Sequence, residues 1–361
     1  MKRIAILSTV AVVGLSLSAC SSTNDSAPEP EPEQTAESAQ PPTVQLLTHD
    51  SFALSEDVIA DFEASSGIDV EILATGDAGS MVAGAILAAG APTADVLFGV
   101  DNTLVTRALD AGVFEPYTSP EASALQTDLA DQTFDGLVTP IDFGDVCINI
   151  DDTWFAEQDI QAPTSLDDLV DPTYRGMLVV QDPGTSSPGL AFLLSTVSRY
   201  GDEWPQYWQQ LANNDVAIAG SWSDAYYGDF TFGGGGDRPI VVSYATSPPA
   251  EIVYAEGAPP AQPSTSVMTD GCYRQVEYAG ILAGSDQVEA SKQVIDWLLS
   301  PEVQADIPLN MFVYPARADI ELPEVFAKFA PQPQTSEQLP ADFVAANVGD
   351  LLAEWGTVMG R

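Results

Sequence analysis

The sequence predicts an α/β fold, because short apolar segments alternate with helix patterns along most of the 361-residue chain. Ile68, Val70 and Ile72 alternate with polar residues as a half-buried strand does. Just before them, a helix pattern begins at the N-cap residue Ser55 and ends at Gly67. Apolar residues make up 45% of the chain, which is enough for a large core. The length predicts two domains or one large domain.

The remaining elements follow in the same alternating order. Strands are predicted at residues 44–48, 68–72, 94–98, 176–181, 216–218 and 240–244. Helices are predicted at residues 55–67, 81–87, 188–200 and 288–299. The four glycines at 233–236 do not open a helix, as a phosphate-binding loop would, and predict a flexible surface hairpin or insertion.

The charge balance excludes several classes of function. The chain has 11 Lys and Arg against 53 Asp and Glu, for a formal net charge of −42, so it lacks the basic clusters of nucleic-acid-binding proteins. Such acidity favours cationic partners, and it also serves solubility at high salt. The single histidine excludes a His-rich zinc site, and a Ser-His-Asp triad would have to use His49.

The first twenty residues resemble a secretion signal. Lys2 and Arg3 precede an apolar run at 4–17, which is shorter than the ~20 residues that a membrane span needs. Residues 17–20 read Leu-Ser-Ala-Cys and resemble a bacterial lipobox, in which Cys20 is lipidated and becomes the mature N-terminus. An ordinary signal peptide with an incidental cysteine is the alternative.

Residues 21–42 are rich in Ser, Pro and Glu, and predict an extended tether between a lipid anchor and the folded part. The folded part is then expected just outside the cytoplasmic membrane, where thiols oxidise. Cys147 and Cys272 are therefore expected to form a disulfide, with two buried free cysteines as the alternative.

Polar and aromatic clusters stand at the predicted junctions between strands and helices. Each cluster alone is typical of a turn, but α/β sheets place ligand loops at the carboxyl ends of strands. A shared cleft is therefore predicted from the clusters at 48–52, 75–80, 99–102, 182–189, 220–226 and 243–248.

These clusters carry a resemblance to a known family. In chain order they read THDSF, ADVLFGVDN, TPIDFG, QDPGTSSPGL, GSWSDAY, VVSYATSP and MFVYPA. This order resembles the thiamine-binding substrate-binding proteins of bacterial ABC importers over nearly all of residues 43–361. The resemblance implies a type II periplasmic-binding fold, in which crossover strands join two α/β lobes that close over a ligand.

The resemblance also implies a domain division and a set of partners. Lobe 1 would comprise residues 43–141 and 273–361, and lobe 2 residues 142–272, with hinges near 139–144 and 270–276. The ligand would be thiamine or a thiamine phosphate, bound without a cofactor, a metal or any enzymatic turnover. The chain would be a monomer that works with an ABC permease and an ATPase, anchored to the outer face of the cell membrane.

The ligand contacts are carried over position by position. Thiamine has a cationic thiazolium ring, so Trp222 can provide stacking or cation–π contact, and Asp77 and Asp224 are candidate counter-charges. Hydroxyl and N–H groups suit the hydroxyethyl arm or a phosphate. The residues expected to contact the ligand are His49, Asp77, Gly79, Ser80, Asp101, Thr185, Ser186, Trp222, Tyr226, Tyr244, Ala245, Thr246 and Ser247.

Two positions depart from the family pattern, which has tyrosine where this chain has His49 and Ala250. Both tyrosines are expected to stack on the pyrimidine, so one wall of the pocket is expected to be rebuilt. His49 can still stack, and Tyr254 can compensate for Ala250.

Two other functions are weighed against this one. A ferric-iron-binding protein would use Tyr226, Tyr227 or Tyr244 together with His49. A secreted hydrolase would also depend on His49, but the sequence has no nucleophile motif such as G-x-S-x-G.

Overall fold

The computed structural model describes residues 41–361. The predicted signal, the lipobox with Cys20 and nearly all of the predicted tether lie outside the described residues. In the described part, no helix combines the length and the apolar character needed to cross a membrane.

Ten strands in the described part form one continuous sheet, in the order β2-β1-β3-β9-β5-β8-β6-β7, with β4 beside β9 and β10 beside β5. The strands are β1 Thr43–Thr48, β2 Asp69–Ala74, β3 Val96–Asp101, β4 Phe114–Glu115, β5 Thr139–Asp151, β6 Leu178–Gln181, β7 Ala217–Ala219, β8 Ile240–Tyr244, β9 Thr265–Leu282 and β10 Tyr314–Pro315.

Twelve α-helices in the described part pack around this sheet. They are α1 Glu56–Ser66, α2 Ala78–Leu87, α3 Val105–Asp110, α4 Asp152–Gln158, α5 Ser187–Tyr200, α6 Trp204–Asn213, α7 Thr231–Gly234, α8 Pro249–Val253, α9 Val288–Leu298, α10 Pro301–Asn310, α11 Glu324–Phe329 and α12 Ala341–Met359. A π-helical turn covers Asp224–Asp229.

Two long strands, β5 and β9, form an antiparallel pair at the centre of the sheet. On one side β1 pairs in parallel with β2 and β3, and on the other side β6 pairs in parallel with β7 and β8. Two α/β halves are thus joined by two crossing strands. The predicted fold class is confirmed.

A disulfide and an ion pair cross-link the two central strands. Cys147 on β5 is bonded to Cys272 on β9, with Cα atoms 4.4 Å apart, and both cysteines are buried. Nearby, Arg274 donates two hydrogen bonds to the fully buried carboxylate of Asp145, at 2.9 and 3.2 Å. The strands are therefore fixed in register next to the point where they pass between the halves.

The C-terminal helix α12 lies against both halves of the molecule. It packs mainly on α6, where the ring of Trp355 meets that of Trp208 edge-on at 5.7 Å, and it also contacts α3. The end of the chain is therefore not confined to the half that holds β1–β3.

Local sequence signals mark both ends of helix α1. Helix α1 begins after Ser55 and ends before Gly67, whose φ of 69° is accessible to glycine without strain. The hairpin predicted at 233–236 is wrong, because the short helix α7 begins at Thr231 and runs into these glycines. A Cβ atom on Gly233 would overlap the carbonyl oxygen of Tyr226, so this glycine packs closely against the π-helical turn.

Candidate functional site

A cavity of about 420 Å³ opens where the two halves of the molecule face each other. Its walls come from the loops after β1, β2 and β8, the start of α5, the π-helical turn, strand β9 and the segment from Asn310 to Val313. The carboxyl ends of strands on both sides of the sheet thus supply the lining, as in other open α/β sheets.

An aromatic wall closes one side of the cavity. The ring of Trp222 stacks on Tyr226 with centroids 5.0 Å apart and planes 20° from parallel, and Tyr227 meets Trp222 edge-on at 5.5 Å. Trp222 Nε1 donates to Ser243 Oγ at 2.9 Å, which fixes the plane of the indole ring. These rings present a rigid, apolar face to a planar ligand.

His49 and Phe52 form the facing wall, backed by Phe98. The ring centroid of Phe98 lies 5.9 Å from that of His49 and 5.0 Å from that of Phe52. Gly99 sits at a bulge in β3 with φ 94°, and a Cβ atom there would overlap the imidazole of His49. The imidazole therefore occupies a place that only glycine at position 99 leaves open.

The mouth of the cavity carries Tyr254 and Phe312, whose rings meet edge-on at 5.4 Å. Tyr254 lines the cavity beside Ala250, and 63% of its surface is exposed. A tyrosine side chain is thus present at this wall, one helical turn beyond Ala250.

Asp77 connects the two halves at the base of the cavity. Its carboxylate accepts N–H groups from Ala78 in its own half, at 2.7 Å, and from Ser187 and Trp222 in the other half, at 3.1 and 2.9 Å. Burial raises the pKa of Asp77, and the N–H groups of Trp222 and Ser187 oppose this rise by favouring the charged form.

A backbone contact reinforces this junction. The N–H of Ser80 donates to the carbonyl oxygen of Thr185 at 3.1 Å, and a Cβ atom on Gly79 would lie 2.5 Å from the same oxygen. Gly79 therefore permits the close approach of the two halves at this point.

Glu277 places a buried carboxylate in the lining of the cavity. Its Oε1 lies 3.4 Å from Nε2 of His49, and Asp142 stands opposite it in the register of β5 and β9. Burial opposes the charge of Glu277, but the charge and hydrogen bond of His49, with a hydrogen bond from Asp142, lower its pKa. Among the described residues that line the cavity there is neither lysine nor arginine.

Asp101 lies just behind this lining and is fully buried. It accepts hydrogen bonds from the N–H and hydroxyl of Thr103, from the hydroxyl of Ser187 and from the amide of Gln275. Burial raises the pKa of Asp101 to about 6, although the hydroxyls of Ser187 and Thr103 favour its charged form. Within residues 41–361, no three His, Cys, Asp or Glu side chains are grouped as potential metal ligands.

Comparison with known proteins places this arrangement in a family. Residues 91–347 match the family described as bacterial extracellular solute-binding protein. That span covers more than half of the chain. The chain belongs to the bacterial extracellular solute-binding proteins.

Several relatives of this solute-binding protein match along most of its length. It is 32% identical to the thiamine-binding periplasmic protein of Escherichia coli (strain K12), covering 89% of this chain and 94% of that protein. It is 29% identical to the thiamine-binding periplasmic protein of Brucella suis biovar 1, covering 88% and 92%.

Solved structures agree with the fold. A periplasmic thiamin binding protein superposes with a TM-score of 0.77 at 28% identity, covering 90% of this chain and 98% of that one. The ferric binding protein from Campylobacter jejuni superposes with a TM-score of 0.70 at 17% identity, covering 87% and 99%, which shows the fold alone. Since the family is extracellular, the solute-binding protein acts outside the cytoplasm.

The cavity of the solute-binding protein brings together part of the predicted contact set. The predicted residues that line it are His49, Asp77, Trp222, Tyr226, Tyr244 and Ser247. The predicted residues that do not line it are Gly79, Ser80, Asp101, Thr185, Ser186, Ala245 and Thr246. Contact of either group with a ligand stays a prediction. Of the two candidate counter-charges, Asp77 lines the cavity and Asp224 does not.

Other lining residues were not predicted from the sequence, above all Gln275 and Glu277. Both lie on β9, where they alternate with the buried Val276 and Tyr278. Two polar residues two positions apart, each followed by a buried apolar or aromatic residue, are the signal that marks them, because such side chains share one face of a strand.

Proposed function

We propose that this solute-binding protein captures thiamine in the cavity between its two halves and delivers it to an ABC importer. The main support for the proposal is that one cavity is lined both by the aromatic wall that contains Trp222 and by the buried carboxylate of Glu277. Thiamine is a permanent organic cation with two flat rings, and this lining offers it stacking and a counter-charge. The relatives named as thiamine-binding proteins support the same ligand.

The protein's partners and location follow from this function. We expect a membrane permease and a cytoplasmic ATPase as partners, a monomeric binding protein and no enzymatic turnover. A lipid on Cys20 would hold the protein at the outer face of the cell membrane, with residues 21–42 as the tether.

Closure of two lobes would trap the ligand. We assign residues 43–141 and the return segment 273–361 to one lobe and residues 142–272 to the other, with helix α12 touching both. The N–H groups that Asp77 accepts from Ser187 and Trp222 support a closed arrangement, because they join these lobes directly.

Calorimetric titration with thiamine and thiamine monophosphate tests the proposal on the secreted Cys20→Ala protein, in buffer that contains a chelator. We expect one thiamine per chain. Trp222→Ala should weaken binding by up to about 30-fold, since a cation–π contact contributes up to about 2 kcal/mol, and Trp222→Phe should retain most of the affinity.

Titration with ferric iron provides the opposing arm. Coloured phenolate–iron binding without any thiamine binding would refute the proposal. It would favour the iron-binding alternative, in which Tyr226, Tyr227 or Tyr244 would bind iron together with His49. A Trp222→Ala variant that binds thiamine as tightly as the wild type would place the ligand elsewhere.

A further inference from the structure

Three ionisable side chains, His49, Glu277 and Asp142, form a row from the cavity wall into the core. We propose that Glu277 is the counter-ion that selects a positively charged ligand, and that a bound cation displaces a proton from His49. This inference rests on the proposed function and names the chemistry by which the same cavity recognises its ligand.

Glu277 is placed to act as this counter-ion. Its side chain is 9% exposed and lines the cavity, and its nearest cationic partner is His49, with 3.4 Å between Nε2 and Oε1. Asp77, the other buried carboxylate of the lining, is already engaged by three backbone N–H groups. Within residues 41–361 no backbone N–H donates to Glu277, so its charge is available to a ligand.

Asp142 keeps the charge on Glu277. Asp142 is fully buried opposite Glu277, and neither of its oxygens has a hydrogen-bond partner among the described residues when both carboxyls are ionised. Two adjacent buried carboxyl groups share one proton. Burial and the charge of Glu277 raise the pKa of Asp142 well above its usual range. Asp142 therefore holds the proton and donates it to Glu277.

The surroundings of His49 act on its protonation in opposite directions. The N–H of Ser51 donates to Nδ1 of His49 at 3.2 Å, which favours the neutral tautomer with its proton on Nε2, because protonation of Nδ1 would break this hydrogen bond. Burial opposes protonation, but Glu277, Asp77 and Asp50 outweigh it and raise the pKa of His49 above its ordinary 6.5.

The charged groups around His49 determine how ligand binding affects the protonation of its imidazole. Asp50 lies next to it, Asp77 faces it from the start of α2, and Glu277, with Asp142 behind it, faces it from β9. A ligand cation placed against Glu277 repels the imidazolium and lowers the pKa of His49. Binding therefore releases a proton at pH values near the raised pKa, and thiamine affinity increases with pH until His49 is neutral in the free protein.

A matched pair of ligands separates charge from shape. 3-Deazathiamine replaces the charged thiazolium ring of thiamine with an uncharged thiophene. We expect Glu277→Gln to lose about tenfold or more in affinity for thiamine and at most about twofold for 3-deazathiamine, as for the loss of one charged partner. Asp224→Asn is the control, since it removes a carboxylate that does not line the cavity and should keep the wild-type preference for thiamine.

Proton release provides a second measurement that uses the wild-type protein. Titrations near pH 7 in phosphate and in Tris, whose ionisation enthalpies differ, should show release of a fraction of one proton per thiamine, and none for His49→Gln. Equal losses for both ligands in Glu277→Gln, or no proton release from the wild type, would overturn the inference while leaving the proposed function intact. Failure of thiamine to bind the wild type would overturn both.

Discussion

Replacing Gly79 by alanine should block closure of the cavity without harming the fold. Gly79 lies in helix α2, where alanine is favoured over glycine by about 0.5–1 kcal/mol. Its new Cβ atom, however, would lie 2.5 Å from the carbonyl oxygen of Thr185, closer than ordinary van der Waals contact by about 0.9 Å. The backbone of α2 and the start of α5 must then separate.

Separation breaks the hydrogen bonds that join the two halves at this point. The two N–H groups that Asp77 accepts from Ser187 and Trp222 are bonds to a charged group, and losing both costs at least about 3 kcal/mol. If thiamine binds only to the closed arrangement, its Kd should increase by about 100-fold.

Gly84→Ala is the matched control, because it lies in the same helix and its Cβ atom would meet nothing within 4 Å. Calorimetric titration should give wild-type thiamine affinity for Gly84→Ala and about 100-fold weaker binding for Gly79→Ala. Small-angle X-ray scattering should show compaction by thiamine in the control alone. A Gly79→Ala protein that binds within threefold of the wild type would refute the role assigned to this contact.

Two further predictions concern stability. Replacing both Cys147 and Cys272 by alanine removes a cross-link between residues 125 positions apart in sequence. In urea titrations this should lower the free energy of unfolding by up to about 5 kcal/mol. A loss below about 1 kcal/mol would contradict the stabilising role of the disulfide. The pKa of Asp101 is about 6 in the folded protein, against a usual 3.8, so between these pH values Asp101 is protonated only in the folded protein. The stability that this proton binding contributes is present below about pH 4 and is lost as the pH rises through 6. The stability of the wild type relative to Asp101→Asn should thus fall by about 2.4 kcal/mol between pH 4 and 7, and a flat difference would show that Asp101 does not titrate in this way.

The α/β alternation could be predicted from the sequence because it depends on the local spacing of apolar residues. The predicted strand at 240–244 coincides with β8 Ile240–Tyr244, and the helix predicted at 55–67 with α1 and its two capping residues. These elements have apolar faces and end at Gly, Ser or Pro, so neighbouring residues alone determine them.

The two central strands were harder to predict because they bury charged residues. Three buried acidic residues interrupt the apolar pattern of β5 and β9: Asp142, Asp145 and Glu277. They are tolerated because each has a partner that is distant in sequence. Arg274 pairs with Asp145, His49 lies beside Glu277, and Asp142 and Glu277 face each other across the two strands. A single sequence does not show such long-range compensation. The sequence therefore predicts Asp77 and Asp224 as candidate counter-charges, and does not point to Glu277.

The bulge at Gly99 constrains the order in which residues 49 and 99 of this cavity wall can be substituted. Position 49 can exchange histidine for a smaller side chain while Gly99 stays as it is. A side chain at position 99 is excluded while the imidazole occupies that place, and the φ of 94° would strain it in any case. Changes in ligand preference through this wall must therefore begin at position 49, and position 99 can follow only after its neighbour has become smaller.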